Sequence, residues 1–174
     1  MTIPTGWESI LDEGENILWQ GRPDGAVRWK VGNFMTLIFG VFFAGFALFW
    51  MVMAAQAGGG MWMFGLLHFG VGIGIGIGPP LYAAYKRRHS WYTLTDSRAI
   101  VATDMPLRGR KLKSYPITAA TNLGFDGETP ASVTFAQEYR RGKNRGYTVD
   151  IGFEWIEDGS EVYRLMRDIQ KGAI

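Results

Sequence analysis

The sequence contains no cysteine, which excludes disulfide frameworks, thiol nucleophiles and cysteine-based zinc sites. It has two histidines, His68 and His89, and their separation matches no metal-ligand spacing such as H-E-x-x-H. No serine stands in a nucleophile-elbow context. No catalytic, cofactor-binding or metal-ligating residue can therefore be named, and enzymatic activity is not expected. Charge is the most telling scarcity: from Val31 to Tyr85 there is no Lys, Arg, Asp or Glu.

Outside that run the charge is uneven. Residues 1–30 carry five acidic and three basic side chains, whereas residues 86–174 carry fifteen basic and eleven acidic ones. The C-terminal excess suits an anionic membrane surface and is too small to indicate nucleic acid. The acidic N-terminal stretch lacks a basic leader, so no cleavable signal peptide is expected.

The uncharged run is divided by Gln56-Ala57-Gly58-Gly59-Gly60, a turn signal, into segments 33–55 and 61–85. At about 1.5 Å of rise per residue, each covers the roughly 30 Å hydrocarbon core of a bilayer. The alternative, a pair of core helices in a soluble globule, needs surrounding elements that the polar remainder does not supply. The expectation is a transmembrane hairpin over 31–89. Arg28 and Lys30 precede it, Lys86-Arg87-Arg88 close it, and the connecting loop is uncharged. Retention of Lys and Arg on the cytoplasmic side then places both termini in the cytoplasm of a multi-pass protein of the cell (inner) membrane. Trp7, Trp19 and Trp29 precede the first span, Trp62 and Trp50 fall at the outer interface, and Tyr82, Tyr85 and Trp91 at the inner one, the positions that amphipathic rings favour.

Gly70, Gly74 and Gly78 recur every fourth residue in the second span, as do Gly72 and Gly76. No Lys-Ser/Thr follows, so this is not a phosphate loop; small residues at this spacing let another helix approach closely. Gly70, Gly74 and Gly78 are taken as the helix-packing positions. The first span, through Gly40 and Ala44, is the favoured partner over a second copy. Pro79-Pro80 is expected to kink or end the helix. His68 lies near the outer end of its span with no acidic partner in either helix, which argues against a functional role for it.

The arm over 1–30 reads as a short helical turn and a short strand lying against the membrane or the C-terminal domain. After residue 89 the pattern changes to short strands at 91–95, 98–103, 111–117, 120–126, 131–139 and 147–155. In the last, Tyr147, Val149, Ile151, Phe153 and Trp155 alternate with polar residues and glycine, as in a half-buried strand. Asp158 and Glu161 form a capping-box pattern, followed by an apolar stripe of Val162, Leu165, Met166 and Ile169. The fold class is thus an α+β membrane protein. A two-helix hairpin is joined to an antiparallel sheet or partial barrel over 90–174, closed by one C-terminal helix.

Trp91-Tyr92-Thr93-Leu94-Thr95-Asp96-Ser97-Arg98-Ala99-Ile100 resembles the Y-x-L-T-x-x-R opening of bacterial pleckstrin-homology-like domains, found in small two-helix membrane proteins. Leu11-Asp12-Glu13-Gly14-Glu15 with Trp19-Gln20-Gly21-Arg22-Pro23 is similar to the segment preceding the membrane pair in that family, and the Gly152–Leu165 ending also resembles it. The resemblance implies a pleckstrin-homology-like sheet and C-terminal helix beside two membrane helices, and brings no catalytic residue or cofactor. Asp96 is expected to accept bonds from turn amides, and Arg98 to pair with an acid or reach a headgroup.

The candidate contacts to anionic lipid or a partner are Arg108, Arg110, Lys111 and Lys113, with Arg140, Arg141, Lys143 and Arg145 in a second basic loop. The leading functional expectation is a membrane-anchored, non-enzymatic binding or scaffolding module. A second is an accessory subunit docking into a larger membrane complex through the glycine-rich helix. A lipid-acting enzyme ranks last for want of a catalytic constellation. Expected partners are membrane lipid and a membrane protein or second copy, and not nucleic acid.

Overall fold

The computed structural model describes residues 10–29, 31–106, 108–142 and 145–173. Trp7, Lys30 and Lys143, named above, lie outside them. The chain divides into two compact units, 25–85 and a second built from 1–24 together with 86–174. Residues 10–24 of the arm thus share a unit with the C-terminal domain, and the apolar hairpin is inserted between the two pieces of that unit.

In the apolar unit, α1 (Val31–Gln56) and α2 (Met63–Arg88, whose last three residues belong to the other unit) are each long and apolar enough to cross a membrane. Gly58 and Gly59 connect them at φ 80° and 83°, backbone angles that residues with a Cβ resist. The buried seam is made of small residues: Gly40, Ala44 and Ala47 on α1, and Gly65, Gly72 and Gly76 on α2. A Cβ placed on Gly40 would meet the Gly72 carbonyl oxygen and the Gly76 backbone at 2.6 Å. Gly40 and Ala44 thus meet α2 as expected, but through Gly72 and Gly76. The row assigned to packing, Gly70, Gly74 and Gly78, has nothing within 4 Å of an added Cβ. Two residues along a helix turn by about 200°, so the two rows occupy opposite faces and α1 covers only one. Away from the seam, apolar side chains point outward; Phe34, Phe42, Phe46 and Phe49 are each at least 60 % exposed.

The helix does not end at Pro79-Pro80, as one reading expected, but continues to Arg88. Gly78 has no Cβ to clash with the Pro79 ring. Gly76, four residues before Pro80, gives the carbonyl facing that second ring an adaptable backbone.

The second unit contains two antiparallel sheets. The first has the order β1-β2-β3-β4, from β1 (Ile17–Gly21), β2 (Ser90–Thr95), β3 (Arg98–Met105) and β4 (Gly109–Pro116). The second has the order β5-β6-β7, from β5 (Gly124–Phe125), β6 (Ala131–Arg141) and β7 (Gly146–Ile156), and α3 (Gly159–Gln170) follows. No closed barrel forms among the described residues. Phe153 is fully buried at the centre, stacked on Tyr92 at 4.8 Å, edge-on to Phe135 at 5.0 Å and beside Trp19 at 5.5 Å. Val162, Met166 and Ile169 of α3 are buried in the same core and Leu165 packs against it, as the stripe requires.

Three local expectations differ. The strand over 120–126 shrinks to Gly124–Phe125. Thr121 instead closes a turn with Thr118, its Oγ1 accepting from the Thr118 amide at 2.8 Å, a side-chain bond that competes with the ladder. The capping box is not made, since Asp158 gives α3 no side-chain cap; its Oδ2 accepts from Trp19 Nε1 at 3.3 Å. The alternation of β7 holds through Phe153 and then slips. Ala131 pairs with Ile156 and Val133 with Phe153, so Glu154 and Trp155 form a bulge opposite Ser132. Ile156 takes the buried position, and Trp155 has φ 54°, a left-handed conformation that costs on the order of 1–3 kcal/mol for a residue other than glycine.

The seam gives a direct test. Gly40→Ala should destabilise the full-length protein in detergent by about 1–3 kcal/mol through overpacking, read as a lowered thermal midpoint, whereas Gly74→Ala should leave the midpoint unchanged. Equal midpoints for the two variants would show that the helices do not pack along Gly40, Gly72 and Gly76.

Candidate functional site

At one end of the first sheet, the β2–β3 turn holds the arm. Glu15 is 8 % exposed, and its carboxylate accepts from Arg98 Nε at 2.8 Å and Nη2 at 2.6 Å, from Thr95 Oγ1 at 2.6 Å, from Ser97 Oγ at 3.2 Å and from the Asp12 amide at 2.8 Å. Arg98 Nη2 also donates to the Ile10 carbonyl at 2.9 Å and lies 3.4 Å from Asp12 Oδ2. Burial alone would raise the Glu15 pKa, but the bonds from Arg98, Thr95 and Asp12 outweigh it and hold the group at about 2. The same pairing raises Arg98 above its ordinary value. Asp96, expected to accept from its own turn, accepts instead from the Asn16 amide at 3.0 Å. Arg98 does find an acid. These residues form a structural staple with its polar groups turned onto one another.

At the opposite end of the sheet, the chain leaves for the apolar helices and returns. Arg87 is 5 % exposed, and its Nε donates to the Asp24 carbonyl at 2.9 Å, joining the outgoing and returning segments. The Asp104 amide donates to the His89 carbonyl at 2.9 Å, which brings the β3–β4 hairpin to the same corner. Arg22 lies 4.4 Å from the centroid of the Trp91 ring.

The basic residues singled out from the sequence separate into two groups. Arg108, Arg110 and Lys111 are exposed at this corner, with Arg110 Nε 3.0 Å from Asp104 Oδ2. Lys113 and Tyr115 turn toward the second sheet, where both donate to Glu138 Oε1 at 2.5 Å, and Arg140 lies 3.6 Å from the same carboxylate. Those donors, Lys113 first, lower the Glu138 pKa, while burial and the Glu138 bond raise that of Tyr115. Arg141 and Arg145 are exposed at the β6–β7 tip, closed by the bond from the Gly142 amide to the Arg145 carbonyl at 3.1 Å. Lys113 and Arg140 are thus part of an inter-sheet contact, whereas Arg108, Arg110 and Lys111 lie on the β3–β4 hairpin and its following strand, which the Asp104–His89 bond holds at the corner.

An open-sided cleft of about 480 Å³ lies between the end of β1 and the end of β7, lined among others by Trp19, Arg22, Asp24, Pro130, Trp155 and Asp158. Sequence reasoning did not find it, because the bulge that turns Trp155 toward it breaks the alternation that made the strand readable. Among the described residues no group of three or more His, Cys, Asp or Glu side chains is placed to hold a metal ion.

The staple predicts an acid dependence. Because the Glu15 pKa is depressed, its stabilisation is fully present above the ordinary value of 4.5 and is lost as pH falls from there through about 2. The contribution is on the order of 3 kcal/mol. Glu15→Gln should lower unfolding stability at pH 7 by about that amount and leave a flatter stability profile between about pH 5 and pH 2; urea titrations followed by tryptophan fluorescence would read both. Comparison of the chain with protein-family models, curated proteins and solved structures finds no match.

Proposed function

We propose that this chain is a membrane-anchored, non-enzymatic binding module, whose apolar hairpin crosses the cell membrane and whose folded unit is a pleckstrin-homology-like domain on the cytoplasmic face. The observation that carries the reading is the Arg87–Asp24 bond. It ties the outgoing and returning chain together at one corner of one folded unit, as two crossings from the same side require. The outward-facing Phe34, Phe42, Phe46 and Phe49 support it, since an apolar surface of that extent has no aqueous partner within its own unit. Four strands, then three, then a terminal helix support the pleckstrin-homology-like assignment.

The ligand class is anionic lipid, met by Arg108, Arg110 and Lys111 of the β3–β4 hairpin, which the Asp104–His89 bond holds at the corner where the chain returns from the apolar helices. Each such side chain near an anionic surface adds roughly 1 kcal/mol. A second reading rests on the open Gly70, Gly74 and Gly78 face, which would dock another membrane protein.

Topology can be tested directly because the chain lacks cysteine. In intact cells an impermeant maleimide should label Gly60→Cys and should label Glu128→Cys only after permeabilisation. Labelling of both in intact cells, or of neither, would remove the proposed arrangement.

The ligand can be tested by native mass spectrometry of protein extracted in mild detergent. Retained anionic phospholipid should fall several-fold in Arg108→Gln/Arg110→Gln/Lys111→Gln, and much less in Arg141→Gln/Arg145→Gln. No retained lipid, together with a co-purifying protein lost in Gly74→Leu, would favour the second reading.

A further inference from the structure

β4 stands at the end of its sheet and, among the described residues, pairs only with β3. Two bonds fix which of its backbone groups that pairing uses. The Ile117 amide donates to the Ser97 carbonyl at 2.9 Å, one step beyond the Arg98–Pro116 pair, and the Asp104 amide turns away from β4 to the His89 carbonyl. In an antiparallel pair, residues that exchange bonds alternate with residues that do not. Lys111, Lys113 and Tyr115 therefore bond to β3, while Arg110, Leu112 and Ser114 turn their N–H and C=O groups outward. Gly109 to Ser114 are all exposed, and among the described residues no backbone bond from them leads anywhere but to β3. Pro116 falls at an outward position, where a missing N–H costs the ladder nothing. An open edge of this kind is a template for an added extended chain.

The side chains along the edge differ between its two faces. On the face turned from the core, Trp91 lies opposite Ala102 and Ala102 opposite Leu112. Leu112 is 45 % exposed and ends that apolar row at the edge, where an apolar side chain on an added strand would extend it. On the other face Lys111 is exposed and makes no ion pair among the described residues, whereas Arg110 and Lys113 already hold Asp104 and Glu138. The next residue of an added strand reaches that face, and a carboxylate there would meet Lys111.

We infer that the β4 edge binds an extended segment of a partner protein in which apolar and acidic residues alternate. The outward groups of Arg110, Leu112 and Ser114 take its backbone, Leu112 its apolar side chain and Lys111 its carboxylate. A second copy of the chain is a poor occupant. In antiparallel registers that pair two or more of the outward residues with one another, Lys111 falls opposite Lys113, or one of these lysines opposite its own counterpart, and like charges so placed repel. A lipid headgroup would use Lys111 and leave the backbone groups idle. The inference stands apart from the lipid contact proposed above, because it requires the strand edge and its test contains no lipid.

The experiment is isothermal titration of the full-length protein in maltoside micelles with acetyl-Val-Glu-Val-Glu-Val-amide. Comparison probes are the lysine counterpart and the same glutamate peptide N-methylated at its backbone amides. The glutamate peptide should bind, the lysine peptide should not, and N-methylation should weaken binding about tenfold. Leu112→Pro removes an outward N–H without removing a bond to β3, and should weaken binding to a similar degree. Lys111→Glu should weaken it at least about fivefold with an unchanged thermal midpoint, since the side chain is exposed; should Leu112→Pro fail to fold, this variant and the N-methylated peptide decide. Absence of binding, equal binding of the lysine peptide, or indifference to Lys111→Glu would overturn the inference. Equal binding of the N-methylated peptide would show attraction by charge alone, and concentration-dependent self-association lost in Leu112→Pro would assign the edge to a second copy; either result also overturns the proposal.

Discussion

The Glu15 carboxylate, shut away from water and saturated by Arg98, Thr95, Ser97 and the Asp12 amide, is the contact on which the arrangement of the second unit depends. β1 is five residues long and must pair with a strand some seventy residues further on, across the whole apolar insertion. A short edge strand contributes little by itself, and closing so long a connection carries an entropic cost that grows only slowly with length but is not small. A buried carboxylate without partners would be strongly unfavourable, so Glu15 tolerates this site only with the arm in one place. With Glu15 held, Ile17 falls opposite Thr95 and Gly21 opposite Tyr92. The chain then reaches Asp24 where Arg87 can take its carbonyl and the Trp155 carbonyl can take its amide. The corner and the cleft both follow from that register.

Much of the second unit was legible from periodicity. β2, β3, β4, β6, β7 and α3 lie within a few residues of where alternation and the Val162–Ile169 stripe place them. What was lost depends on individual side chains finding distant partners. Asp158 and Glu161 have a capping spacing, but Asp158 is drawn to the Trp19 indole from an element 139 residues away. Thr121 reads as strand, yet a threonine hydroxyl near its own backbone has a local alternative. The staple itself had one visible half: Arg98 in a tight turn needed an acid, and nothing in the local pattern distinguishes Glu15 from Asp12 or Glu13. Burial does, and burial is not written in the spacing. The basic residues show the same limit. Composition groups Lys113 with Arg108, Arg110 and Lys111, but the position of Glu138 on the other sheet, which Lys113 reaches, separates it from them.

The glycine rows of α2 show why the apolar unit was only half readable. Gly70-Gly74-Gly78 and Gly72-Gly76 have the same period and composition, and they face nearly opposite directions. Either could receive a neighbouring helix, so α2 alone does not decide. The choice is made by α1, whose small residues Gly40, Ala44 and Ala47 form a single stripe between phenylalanines. It is made also by the hinge at Gly58 and Gly59, which sets the rotation at which α2 returns. Gly40 can touch backbone only where α2 also lacks a side chain, and it does so against Gly72 and Gly76. The unpaired row is then left on the opposite face of α2. It is a consequence of satisfying α1, and its openness requires no separate cause.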